Sequence, residues 1–241
     1  MEAFIYTAMT GAAYAQRALG VRANNLANAQ TAGFRADLVR AESLTPDGVG
    51  YDSRHLAHLV STDVDVAPGP MSETGRSLDV AIAGAGYLTV ETDDGPAYTR
   101  AGHLSIDGDG ALTVNGRPVL GDGGPIVLPA HRSATIGGDG TISVVPSGES
   151  EVQTVARLLL VNPDPADLVK NPEGLLVSRS GAEYDADETV TVKGGHLEGS
   201  NISAIEEMMQ TLSLTRSFEM QMRLYRAADE MADTGNRLIR G

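Results

Sequence analysis

Residues 203–232, SAIEEMMQTLSLTRSFEMQMRLYRAADEMA, decide the fold of this chain. The stretch lacks proline, and its apolar residues recur at alternating spacings of three and four. Ile205, Met208, Leu212 and Thr215 form one run, and after a slip Phe218, Met222, Tyr225, Asp229 and Ala232 resume it. That spacing lays a narrow apolar stripe along one helix face, suited to another helix more than to a sheet. Ser203 with Glu206 forms a capping-box pattern that sets the helix start. A helix from about 203 to 235 would be roughly 50 Å long. A β domain of this size would not cover such a length, so the helix needs a partner.

Working outward, the opposite end of the chain carries the same signal. Ile5, Met9, Ala12, Gln16, Leu19, Ala23 and Leu26 recur at spacings of four and three, with no proline across 3–29. The run Asn24-Asn25-Leu26-Ala27-Asn28 through Gly33-Phe34 supplies residues that tolerate the left-handed backbone that ends helices. Residues 35–75 show little periodicity and are broken by Pro46, Gly48, Gly50, Pro68, Gly69 and Pro70, which predicts an extended arm with short strands.

From Leu78 the period changes to two. Leu78, Val80 and Ile82 alternate, a Gly84-Ala85-Gly86 bend follows, and short apolar runs continue to Val190–Val192. Asp94-Gly95, Asp109-Gly110, Asn115-Gly116, Asp122-Gly123 and Asp139-Gly140 separate them. Such pairs supply the positive φ of tight hairpins, so the middle reads as an all-β domain. The fold class expected is α+β, paired terminal helices flanking an all-β middle. The segments expected are 1–40 for the first helix, 41–75 for the arm, 76–199 for the β domain and 200–241 for the second helix.

The 241 residues carry a net charge of −14, with no Cys and no Trp. Residues 1–40 sum to +2 and residues 201–241 to −1, so −15 falls on the middle. Near-neutral ends suit close packing against like ends, and an acidic middle suits a hydrated outer face. No basic stripe is present to neutralise phosphates, which argues against nucleic acid. The absence of cysteine excludes a disulfide framework and thiolate metal sites. No apolar run approaches the ~20 residues of a membrane span, and the N-terminus lacks a cleavable signal pattern.

Catalytic and ligand motifs fail one by one. Gly84-x-Gly86 has Thr89 where a dinucleotide loop needs its third glycine. Asp107-Gly108-Asp109-Gly110 has Ala111 and Pro118 at positions where a calcium loop needs ligands. His55 and His58 are three apart without a third metal ligand. The chain has no nucleophile elbow, and its carboxylates cluster in turns, where Asp bonds its own backbone. No cofactor, metal or small-molecule substrate is expected, and the chain reads as a non-enzyme. Two other classes are weighed against an assembly part: a secreted β-domain binding module dimerised by its helices, and an enzyme on a β scaffold. The last needs two carboxylates facing across a cleft.

The residues resemble the axial rod and hook proteins of the bacterial flagellum. Asn24, Asn25, Leu26 and Asn28, with Thr31, Gly33, Phe34 and Arg35, are similar to that family's N-terminal signature. Leu78-Asp79-Val80-Ala81-Ile82-x-Gly84-x-Gly86 and Tyr98-Thr99-Arg100-x-Gly102-x-Leu104 are similar to its β-domain motifs. Leu197-Glu198-x-Ser200-Asn201, then Glu207-Met208 and Arg216-x-Phe218-Glu219, resemble its C-terminal signature. The likeness runs nearly the whole chain, in order. Ile5-Tyr6-x-Ala8-Met9-x-Gly11-Ala12 and the single middle domain look most like the proximal rod members, with distal rod or hook-type members as the alternative.

The resemblance implies a structural subunit of the periplasm-spanning basal-body rod, a torque-transmitting shaft of bacterial motility. It implies export through the flagellar type III apparatus without a cleaved signal. It implies an inner domain made by coiled-coil-like pairing of the terminal helices, with copies of itself and other rod proteins as partners in a helical assembly. The helix residues expected to carry assembly are Ile5, Met9, Ala12, Leu19 and Leu26 at the front. At the back they are Ile205, Met208, Leu212, Phe218, Met222 and Tyr225, with Ser203 and Glu206 as the cap.

Overall fold

The computed structural model describes residues 2–44, 56–148 and 151–240. His55 lies outside them. The chain is α+β: two helices that pack together flank a β-rich middle. It divides into two compact units. A helical unit comprises Met1–Ala29, Asp37–Asp65 and Ile202–Gly241, and a β unit comprises Gln30–Ala36 and Val66–Asn201.

In the helical unit, α1 spans Glu2–Ala27. A hairpin of β1 (Asp37–Leu44) and β2 (Leu56–Val64) follows, antiparallel, with a bulge between Arg40 and Ala41. His58 therefore sits on a strand, opposite Glu42, and not on a helix face. The long helix α2 spans Ala204–Arg240. Glu206 N–H donates to Ser203 Oγ at 3.4 Å, as a capping serine should. The Glu206 carboxylate accepts from Gln210 Nε2 at 3.1 Å, one helical turn onward.

Arg22 Nη1 meets Glu207 Oε1 at 2.8 Å, and Gly11 faces the Gln221 amide. Moving up one helix while moving down the other makes the pair antiparallel. At ~1.5 Å per residue α2 is about 55 Å long and α1 about 39 Å. From about residue 230, α2 has no length of α1 opposite it.

The β unit forms around Val80, Leu88, Leu104, Leu112, Ile142 and Leu158, all fully buried. Its largest sheet has five antiparallel strands in the order Leu160–Val161, Tyr87–Thr92, Gly95–Thr99, Leu176–Ser178, Leu168–Lys170. Three-stranded sheets are built from 131–157 and from 104–118. Val80–Ala83 pairs with Thr191–Gly194, and Met71–Glu73 with His196–Glu198, so the far end of the unit returns to its start.

The turn chemistry explains the register. Asn115 (φ 50°) and Gly116 (φ 81°) both take positive φ between paired strands, the geometry of a two-residue hairpin. Asp107 Oδ1 accepts from the N–H groups of Asp109 and Ala111, so this carboxylate closes its own turn. Among the described residues no group of three His, Cys, Asp or Glu could hold a metal, and no helix is long and apolar enough to cross a membrane.

Asp167 organises the loop after Leu176–Ser178. It accepts from Ser178 Oγ at 2.6 Å, from Tyr184 Oη, and from Ser180 Oγ and N–H at 2.9 Å. Ser178 and Tyr184 foremost hold its carboxyl at about 2, below the ordinary 3.8. The folded value is depressed, so this anchoring is present above about pH 4 and is lost as pH falls through about 2. We expect a carbon-detected NMR titration to place the Asp167 midpoint near 2, and Asp167→Asn to release the Tyr184 ring. A midpoint at the ordinary value would refute the assignment.

Candidate assembly surfaces and the Glu198 cluster

On its α1 side the helix–helix seam is built from small and polar residues. On α1 the buried side chains are Ala8, Ala15, Ala18 and Asn25, spaced seven, three and seven apart, with Gly11 and Arg22 on the same line. On α2 the matching line is Glu207, Thr211, Leu214, Phe218, Gln221 and Ala228. Small residues let two helices approach closely. They also bury little apolar area, and the seam contains Glu207 Oε2 and Gln221 Oε1 without hydrogen-bond partners.

The sequence-expected residues divide between this seam and the outside. Phe218 and Met222 are half-buried, and Tyr225 is exposed at the seam's edge. Ile5, Ala12, Leu19 and Leu26 are half-buried beside the α1 line, and Met9 is exposed. Ile205, Met208 and Leu212 face away, Leu212 at 60% exposure. With Met209 and Met220 they make an apolar face on the side of α2 opposite Glu207. A groove of about 520 Å³ there is lined by Met209, Leu212, Ser213, Arg216, Ser217 and Met220. Helix α2 thus has two apolar aspects: a small, polar-studded seam toward α1, and an exposed Met- and Leu-rich face.

The asparagines at the end of α1 are structural hinges of the backbone. Asn25 is fully buried, and its side chain bonds both backbone groups of one residue: Nδ2 donates to Asp37 O at 3.0 Å, and Oδ1 accepts from Asp37 N at 2.9 Å. Asn28 Nδ2 donates to Asn24 O at 3.0 Å, closing the last turn. Asn24 contributes that carbonyl and is itself exposed.

Within the β unit, residues from three distant stretches converge on one carboxylate. Glu198 is 1% exposed. Its Oε1 accepts from Arg35 Nη2 at 2.6 Å and from Gly69 N–H at 2.8 Å, and its Oε2 accepts from Arg100 Nη1 at 3.0 Å. Arg100 Nη2 also donates to Gly84 O at 2.7 Å, and its guanidinium lies 5.1 Å from the centre of the Tyr87 ring. Burial pushes the Tyr87 phenol up, against the opposing pull of Arg100 and Arg35. Arg35, also 2% exposed, leaves Nε and Nη1 without a partner, as Arg100 leaves Nε. Two buried cations share one anion.

Residues of four quoted motifs, those holding Arg35, Gly84, Arg100 and Glu198, meet at this cluster. Gly33 (φ 71°) packs so tightly on Arg100 and Ala101 that a Cβ would stand 2.2 Å from their backbone. Its N–H donates to Glu198 O at 2.8 Å. Ala36 N–H donates to Asn201 Oδ1 at 2.8 Å, Lys170 Nζ donates to Arg35 O at 2.7 Å, and the same ammonium sits 4.0 Å from the Phe34 ring centre. Arg35, Arg100, Glu198 and Asn201 were visible as motif letters. Their pairing had no local signature, because 163 residues separate Arg35 from Glu198.

Three family models match the chain in order. They are the flagella basal body rod protein model over residues 5–35, the flagellar hook protein FlgE/F/G D1 domain over 81–144, and the flagellar basal body rod FlgEFG protein C-terminal model over 193–238. Among curated relatives, the flagellar basal-body rod protein FlgF of Escherichia coli is 38% identical, and that of Salmonella typhimurium 37%, each over 99% of both chains. The flagellar basal-body rod protein FlgG of Bacillus subtilis is 30% identical over 94% of this chain and 95% of its own. The chain therefore belongs to the flagellar basal-body rod protein family, on its FlgF side.

Proposed function

We propose that this chain is a structural subunit of the proximal part of the flagellar basal-body rod and polymerises through its terminal helices. The observation that carries this reading is the exposed apolar face of α2, centred on Met209, Leu212 and Met220. A seam that sets Leu214 and Phe218 against alanines and leaves Glu207 and Gln221 oxygens without partners gains little from burial, so the helix pair is marginal alone. Copies of the same helical unit and those of other rod proteins offer the apolar surface that completes it. Head-to-tail contacts of this kind build an open helical array. Met suits a face that meets neighbours that are not all identical. The role is mechanical, with no bond made or broken. Export through the flagellar type III apparatus without a cleaved signal belongs to the same proposal.

Limited proteolysis of the isolated chain followed by mass spectrometry tests this. We expect rapid cutting at Arg17, Arg22, Arg216, Arg223 and Arg226, leaving a resistant core from about residue 66 to 201. Resistant helices in a discrete dimer would instead establish a binding module dimerised by its ends.

A further inference from the structure

We propose that the five-stranded sheet of the β unit carries a docking pocket for one arginine side chain of a neighbouring protein, held between Glu91 and Glu183 beside Tyr184. Strand alternation builds its floor. Along Tyr87–Thr92, Leu88 and Val90 belong to the apolar core, so Thr89 and Glu91 point to the opposite face. On the next strand Tyr98 stands opposite Thr89, and Pro96 opposite Glu91. The Tyr184 ring packs on Tyr98 with ring centres 5.4 Å apart and planes tilted by 59°. Tyr184 Oη donates to Asp167, which fixes that ring in place. These residues, with Glu183, line a cavity of about 200 Å³. Small-molecule pockets start at roughly 300 Å³, so this one suits a single side chain.

The cavity has an unmet need at its floor and another at its rim. Thr89 is 1% exposed, and its Oγ1 has no hydrogen-bond partner. A buried hydroxyl left unpaired is costly, and a donor entering the cavity relieves it. Glu91 and Glu183 are exposed carboxylates, and among the described residues neither makes an ion pair. Neither 77–99 nor 180–192 holds a Lys, Arg or His, while Asp93, Asp94, Asp185, Asp187 and Glu188 add charge beside the two glutamates. Burial foremost pushes the Tyr98 phenol up, and the charge of Glu183 adds to the rise. A negative field therefore reaches the floor of the cavity.

An arginine meets each of these demands. Its planar guanidinium stacks on an aromatic ring, and its fork of N–H donors serves two carboxylates and a hydroxyl at once. A lysine ammonium is a compact point charge with no plane to lay on Tyr184. A bare metal ion has too few ligands, since among the described residues no group of three His, Cys, Asp or Glu could hold one. The arginine comes from a different protein and not from a second copy. Residues 41–200 of a second copy would bring a further −15 to a face that is already acidic, and like charges oppose association. The site lies wholly within the β unit and owes nothing to the exposed face of α2.

Two-dimensional NMR of the full chain, titrated with N-acetyl-arginine amide at low salt, tests this. We expect saturable shifts at Thr89, Glu91, Tyr98 and Tyr184, with binding about fivefold tighter than that of N-acetyl-lysine amide. Glu91→Gln combined with Glu183→Gln should weaken binding about tenfold, with the rest of the spectrum unchanged. Thr89→Val, which keeps the shape and removes the hydroxyl, should weaken it about threefold. Shifts that do not saturate would overturn the proposal, as would shifts that are equal for both probes and survive the glutamine pair. Saturation of the same residues by N-acetylglucosamine in place of the arginine probe would make the pocket a sugar site and overturn it too. Self-association of the unaltered chain that the glutamine pair abolishes would assign the arginine to a second copy and overturn the choice of partner. The isolated chain and a small probe suffice, so failure here is distinct from a failure of rod assembly.

Discussion

Leu212→Asp leaves the isolated chain folded and removes it from rods. Leu212 is 60% exposed on the outer face of α2, so the monomer loses little; surface changes of this kind fall within about 0.5 kcal/mol. In an assembly that covers this face, the new carboxylate loses its water together with Arg216, the basic side chain one turn on in the same groove, with which it pairs at i,i+4 spacing. Burying such an ion pair in place of an apolar side chain costs up to about 1–4 kcal/mol, and about 1.4 kcal/mol is tenfold in occupancy. Incorporation into basal bodies, measured by quantitative mass spectrometry of purified rods, should fall at least tenfold, and motility with it. Leu212→Met should incorporate normally. Equal incorporation of the Asp variant would show that this face is not an interface.

Glu198→Ala should cost the β unit about 3–5 kcal/mol, as breaking a buried pair by removing one partner does. The reason is that both arginines of the cluster lose their counter-charge at once. Arg100 is held under the Tyr87 ring and bonds Gly84 O. It is left as a buried cation with no counter-charge, and Gly69 N–H loses its acceptor. For a unit of this size the melting temperature should drop by roughly 10–20 °C. Replacing Arg35, Arg100 and Glu198 together by Met should recover most of that loss, since no charge then remains to desolvate. A drop of less than about 1 kcal/mol for the single variant would mean that water already reaches Glu198.

Much of the architecture was legible because it is written locally. Period-two runs and Asx-Gly pairs announce strands and hairpins wherever they stand. The loss of proline across both ends announces two helices. The face of each helix that meets the other was not legible. Helix α2 carries apolar residues around most of its circumference, so hydrophobic periodicity selects Ile205, Met208 and Leu212. The seam instead takes the residues that permit close approach, Ala8, Ala15 and Ala18 against Leu214, Phe218 and Ala228. Hydrophobicity ranks methionine above alanine, but close packing of two backbones reverses that order.

The Glu198 cluster was hidden for a different reason. An ion pair needs only two letters, and nothing near either letter says which of 18 basic residues a given carboxylate will meet. The hairpin of β1 and β2 was likewise obscured, since residues 35–75 alternate weakly and carry charged residues among the apolar ones.

The helical unit takes one half of its seam from residues 2–27 and the other from residues 204–240. A polypeptide delivered from its N-terminus therefore shows α1 to its surroundings long before α2 exists to answer it. A product cut short anywhere in the middle retains a helix with an alanine line and no Met- and Leu-rich face at all. Such a fragment holds one half of the seam and none of the outer face of α2. If assembly runs through that face, as proposed above, only a copy made to its far end can join.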